Sequence, residues 1–225
     1  YKDNARIDAI SPNAGIADGG TLVNVLGVNF FNDPSTHCRF GTFTSDAATF
    51  ISDSHIQCTT PAVAVGGLYA VEVYDSATYS HSEIDFRFLV ASTIDSVEPA
   101  TVVTDTSTMV TVIGHDFINT NSSACMFSGT FGVHQSASYW QSSTVVVCQA
   151  PSVSTAQVAV IEVTSNGVDY TSSGATFTVE TAPTLIAVDP DHGPMDGRMD
   201  VTISGSDFDN TGELLVKFEV TYAVA

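Results

Sequence analysis

The sequence predicts an all-β chain of tandem sandwiches, on three observations. Apolar residues alternate with a period of two over short runs. Gly, Pro, Asn, Asp and Ser punctuate those runs, and one set of residues recurs about every ninety positions. No helical period competes with this pattern. At 225 residues and 44% hydrophobic content, the chain has material for about two ordinary cores. Ser and Thr supply nearly a quarter of the residues, and with only 14% charged residues they must carry much of the polar surface.

The first element is an opening strand closed by proline. Ile7, Ile10 and Pro12 recur as Ile94, Val97 and Pro99, and again as Leu185, Val188 and Pro190. The second is an alternating strand ending in glycine, with Phe three residues on. It reads Val23, Val25, Gly27, Phe30, then Val110, Val112, Gly114, Phe117, then Val201, Ile203, Gly205, Phe208. The glycine reads as a tight turn at the strand's end. Eleven residues beyond it stand Cys38 and Cys125, each with Phe two places later, at Phe40 and Phe127; the third copy has Val216 and Phe218. The later half repeats as well. Cys58 with Pro61 matches Cys148 with Pro151, Val71, Glu72 and Val73 match Ile161, Glu162 and Val163, and each unit closes on an aromatic strand, through Phe86 and Phe88 or Phe177.

In this order these motifs resemble the IPT/TIG domain, an immunoglobulin-like, E-set type β-sandwich of plexins and many surface proteins. The resemblance covers residues 7–90 and 94–180 fully, and 185 to about 220 as the first half of a third copy. It implies sandwiches of roughly seven strands used in arrays for adhesion, receptor stalks or spacing, and it confers no catalysis. In transcription factors the same fold contacts DNA; in some starch-acting enzymes it is accessory. The expected division is residues 1–90, 91–182 and 183–225, the last incomplete.

Charge selects among these roles. Six basic residues stand against 25 acidic ones, a net −19 that divides as about −6, −7 and −6 over the three segments. Residues 91–182 hold no Lys or Arg. Every segment repels a polyanion, which excludes nucleic acid as a direct partner. No run of about 18 apolar residues offers a membrane span, and a chain opening on Tyr1 reads as a mature or excised piece. The expected setting is extracellular or cell-surface.

The four cysteines fall one pair per complete repeat, with 19 residues between Cys38 and Cys58 and 22 between Cys125 and Cys148. Of three possible connectivities, pairing within the repeat is the one that uses the duplication consistently. Zinc ligation and buried free thiols are the other readings, though no short Cys-x-x-Cys occurs. The six histidines, His37, His55, His81, His115, His134 and His192, have no metal or nucleophile spacing. Hydrolase elbow, zinc-protease and phosphate-loop motifs are lacking, so the expectation is no enzyme and no cofactor.

Some residues carry two readings. The turns holding Asn32 and Asp33, Asp116 and Asn119, and Asp207, Asp209 and Asn210 fit Asx-turn chemistry, with Ca²⁺ ligation as the sharper alternative. Asn121, Ser122 and Ser123 form a single N-glycosylation sequon where an exposed loop is expected. Trp140 and Tyr139, with Phe131, fall in the longer loop of the second repeat; a lone Trp in a sandwich is ordinarily core, but the pair would also suit a ligand or partner contact. The short third unit either stops at a boundary or is completed by strands of another chain. The chain thus reads as a rod, stalk or fibre subunit that self-associates or meets extracellular proteins or glycans. An adhesion or receptor ectodomain, or an accessory segment of a secreted carbohydrate-active enzyme, is the alternative.

Overall fold

The computed structural model describes residues 4–74, 78–208, 216 and 218, and among them every regular element is a strand. In the first repeat these are β1 (Arg6–Ser11), β2 (Ala14–Ile16), β3 (Leu22–Val28), β4 (His37–Phe40), β5 (Phe43–Ala47), β6 (Thr49–Ser52), β7 (His55–Thr59), β8 (Gly67–Tyr74) and β9 (Asp85–Leu89). They form two facing sheets, ordered β1-β3-β7-β6 and β2-β9-β8-β4-β5. The second repeat follows with β10 (Thr93–Glu98), β11 (Thr101–Val103), β12 (Met109–His115), β13 (Ala124–Gly129), β14 (Gly132–Ser142), β15 (Val145–Gln149), β16 (Gln157–Thr164) and β17 (Thr176–Glu180). Its strand order is the same with one difference. The strand matching β5 and β6 is unbroken β14, which pairs with β13 through its first half and with β15 through its second, joining both sheets. Phe131 precedes this strand, while Tyr139 and Trp140 lie on it and not in a loop as the spacing suggests.

Alternation fills each interior. Val23, Val25, Ile56, Val71 and Val73 are fully buried in the first repeat, where Phe40, Phe86 and Phe88 meet edge to face at 5.0–5.9 Å. The second repeat buries Val110, Val112, Phe127 and Ile161 in the matching places. Each enclosed Phe or Val contributes about 1.5–3 kcal/mol.

The opening strand bulges at one place in all three copies. Its register against the next strand shifts between Ile7 and Ala9, between Ile94 and Ser96, and between Leu185 and Ala187. Gly27, Gly114 and Gly205 sit opposite the bulge, inside the strand and not at a turn. A Cβ on any of them would run into the carbonyl of Arg6, Thr93 or Thr184 and the ring of Phe30, Phe117 or Phe208. The turn itself falls two residues later, where Asn29, Asp116 and Asp207 take φ of 60–62°. Asn and Asp tolerate that left-handed conformation better than other side chains with a Cβ. The recurring proline follows a cis peptide each time, at Ser11-Pro12, Glu98-Pro99 and Asp189-Pro190.

Residues beyond Glu180 contribute β18 (Thr184–Asp189) and β19 (Thr202–Ser206), an antiparallel pair matching β1 and β3. Leu185, Ile186 and Val188 are exposed there.

Candidate functional site

The surface that unites the array is the joint between the complete repeats. Val90, Ala91 and Ser92 are all that separates β9 from β10. On the first repeat's side, Gly19 and Gly20 adopt φ of 79° and 85°, a turn only glycine makes without strain, and return the chain so that Thr21 lies under β2. Thr21 Oγ1 occupies the space where a Cβ on Gly15 would stand. Its backbone is fixed by Thr60, whose Oγ1 accepts from Thr21 N at 3.1 Å and whose N donates to Thr21 O at 2.9 Å.

The second repeat answers with the turn between β16 and β17. Asn166 Oδ1 accepts from Val168 N at 3.1 Å and Asp169 N at 2.8 Å, an Asx turn. Asn166 Nδ2 then donates to Ala14 O at 2.9 Å and to Asp169 Oδ2 at 2.7 Å. Asp169 Oδ2 also receives the Thr21 hydroxyl at 2.6 Å. Thr21 is 0% exposed, so this bond across the repeat boundary satisfies a donor that water does not reach. Glu162, nearly buried, holds the turn's far side by accepting from Thr171 Oγ1, from Ser173 N at 3.3 Å and from Gly174 N at 2.9 Å. Tyr170 lines the same cleft; burial raises its pKa, and the hydrogen bond from Gln135 Nε2 at 2.8 Å works against that rise.

Cys38 is joined to Cys58 and Cys125 to Cys148, so each bridge ties one sheet of its sandwich to the other. Trp140 is 39% and Tyr139 57% exposed, which places Trp140 on the surface and corrects the expectation of a core residue. Its Nε1 donates to Phe117 O at 3.1 Å. Trp140 pairs with buried Val146 and so stands on the core-facing side of β14, near the strand's end, where the indole is only partly covered.

Asp33 Oδ1 accepts from Ser35 N at 2.8 Å and Ser35 Oγ at 2.7 Å, the Asx-turn reading of that segment. Asp209 and Asn210 lie outside the described residues, and Asp207 receives Ser206 Oγ at 2.9 Å. Among the described residues no three His, Cys, Asp or Glu side chains gather in a group able to hold a metal ion. Asn121 is exposed, in a turn between β12 and β13.

One cluster has no counterpart in the spacing analysis. On β4 and β8 of the first repeat, His37 stacks on Tyr74 at 4.9 Å, Tyr74 meets Tyr79 at 5.1 Å, and the Arg39 guanidinium lies 3.7 Å over the Tyr79 ring. Arg39 is held by Glu72, with Nε donating at 2.9 Å. The register that pairs His37 with Tyr74 and Arg39 with Glu72 is the signal that finds it. The second repeat has Ala124, Met126 and Thr164 in the matching places, so the fold itself does not require the ladder.

Set beside known families, residues 5–88 and again 92–179 match the IPT/TIG domain. The solved extracellular region of plexin A4 aligns with 86% of this chain at 19% identity and a TM-score of 0.53. This chain spans 18% of that one, and the likeness is one of fold. Bacteroides ovatus SGBP-B, solved with a mixed-linkage heptasaccharide, aligns over 87% of this chain and 51% of its own at 14% identity, with a TM-score of 0.35. The Escherichia coli adhesin FdeC aligns over 84% and 68% at 15% identity, with a TM-score of 0.34. No curated protein sequence matches the chain.

Proposed function

Because the chain belongs to the IPT/TIG domain family, we propose that it is a non-catalytic extracellular structural protein, a rod or fibre subunit whose sandwiches stack end to end. The observation that carries this reading is the buried Thr21 hydroxyl bonded to Asp169 across the repeat boundary. A flexible string of domains needs no such bond, whereas a spacer of fixed geometry does. The two disulfides fit an oxidising, extracellular setting, and no helix among the described residues is long and apolar enough to cross a membrane.

Self-association is the finer part of the proposal. In the complete repeats β3 and β12 each gain a partner, β7 or β15, along the edge away from the opening strand. The matching edge of β19 pairs with no strand among the described residues, and apolar Leu185, Ile186 and Val188 lie open beside it. A strand added there by a neighbouring chain would extend the sheet and link protomers head to tail. Light scattering and electron micrographs of the chain test this. Filaments, or scattering that lengthens with concentration, are expected; dispersed monomers with residues 185–225 labile to protease would sink the fibre reading. Small-angle scattering of Asp169→Ala is expected to show a broader spread of end-to-end distances than the parent.

A second reading rests on exposed Trp140 and Tyr139. These make the long strand of the second repeat a contact for a protein or glycan ligand, as an adhesion ectodomain would use it. Tyr139→Ala should abolish or strongly weaken such binding with the melting temperature unchanged, while Trp140→Ala, which also loses the bond to Phe117 O, should lower both; binding that survives both changes would discard this reading.

A further inference from the structure

We propose that Asn121 carries an N-linked glycan that braces the joint between the two complete repeats; this rests on the rod reading above. Asn121 and Ser122 are exposed in a turn, and Ser123 completes the sequon. The side-chain amide of Asn121 makes no hydrogen bond to the described residues. Its loop is nonetheless well tied. Ser122 N donates to Thr120 Oγ1 at 3.3 Å, Ser123 Oγ donates to Ile118 O at 3.1 Å, and Thr120 Oγ1 donates to the carbonyl of Ser165, the residue before Asn166. The sequon turn therefore leans on the turn that delivers Asp169 to Thr21.

The other flank of the same loop reaches the first repeat. Ile118 helps line an apolar groove with Val65, Leu68 and Val90, all exposed in the first repeat and its linker. A glycan rooted three residues from Ile118 lies beside that groove, and its first sugars would shield it and fill the corner between the sandwiches. The duplication provides a comparison: the first repeat carries Pro34 at the position of Asn121.

Attachment is a group transfer. Asn121 Nδ2 attacks the anomeric carbon of a lipid-pyrophosphate-linked oligosaccharide, an N–C bond forms, the bond from that carbon to the pyrophosphate oxygen breaks, and the amide gives up one proton as the lipid pyrophosphate departs. No oxidant or reductant is needed.

The test uses the full chain secreted from a host whose secretory pathway glycosylates. No Lys or Arg lies between Arg87 and Arg198, so chymotrypsin, cutting after Phe117 and Phe127, isolates the sequon. Enzymatic glycan release in oxygen-18 water should label that peptide, and Asn121→Gln should abolish the label. Amide hydrogen exchange across residues 165–172 should run roughly threefold slower in the glycosylated chain than in the released chain or Asn121→Gln. An unlabelled peptide overturns the proposal, and so does a labelled one with unchanged exchange at 165–172. A labelled chain with slowed exchange that forms no filament keeps this inference and removes only the fibre reading.

Discussion

Asp169→Ala takes away the acceptor for the Thr21 hydroxyl, which lies 2.6 Å from it and has no access to solvent. It also strips Asn166 Nδ2 of one of its two acceptors. A hydrogen bond to a charged group contributes about 1.5–3 kcal/mol, and a buried donor left unpaired costs about 1–3 kcal/mol. Asp169 is itself only partly buried, so solvent recovers some of this, and the expected loss is about 1.5 kcal/mol, roughly tenfold in the equilibrium. Thr21→Val keeps the shape and removes the donor, and should cost about 1 kcal/mol. Once either partner is gone the other loses most of its effect, so the double variant should fall short of additivity by about 1 kcal/mol. Trp140 is the single tryptophan and lies in the second repeat, so its fluorescence along a denaturant series reports that unit in the intact chain. The midpoint should move with the slope unchanged. Effects that add within about 0.5 kcal/mol would mean that the joint couples nothing and that the two sandwiches are energetically independent.

Gly114→Ala should destabilise the second repeat by about 3 kcal/mol or more, because the new methyl meets backbone at Thr93 and the Phe117 ring and neither can yield cheaply; the same denaturant series reads it, and a shift under about 1 kcal/mol would contradict the packing argument. Replacing Cys125 and Cys148 by Ser should remove about 3 kcal/mol in the loop-entropy account, measured against the parent under non-reducing conditions. Tyr170 has a raised pKa, so above the ordinary tyrosine range the unfolded chain loses its proton first and stability falls as pH rises. Tyr170→Phe should flatten that fall in a pH series of melting temperatures. Gln135→Ala removes the bond that opposes the rise and should carry the fall on to still higher pH, with its onset unchanged.

The repeat was legible because burial writes itself into alternation. Val23 and Val25, Val110 and Val112 face inward in the register the spacing predicts, and the aromatic closing strands do the same. Gly27 and its equivalents were readable as special but not for the right reason. Their constraint comes from a neighbouring carbonyl across the sheet, while Asn29, Asp116 and Asp207 take the left-handed turn. The place of Trp140 was not legible. Whether a residue on a strand faces in or out depends on strand boundaries, and β14 runs through what the spacing treats as a loop. The joint was the least legible of all: Thr21 and Asp169 are 148 residues apart, and each alone is an ordinary turn residue. The ladder of His37, Tyr74, Tyr79 and Arg39 likewise needs the pairing of β4 with β8 before it exists as a pattern.

The parallel pairing of β2 with β9, and of β11 with β17, bears on how such a chain carries tension. A pull along the array enters a sandwich near its first strands and leaves by its last. Drawn from opposite ends, two parallel strands slide past one another, so the pairs Ala14–Arg87, Gly15–Phe88 and Ile16–Leu89 are strained together and not one after another. Failure then follows the forced unfolding rate of each sandwich. Once a sandwich gives way, the bridges limit how much chain it pays out. With sequence separations of 20 and 23, they withhold about 65 Å from the first repeat and about 75 Å from the second at full extension. The bridges thus shorten the extension of each sandwich by about a quarter at most.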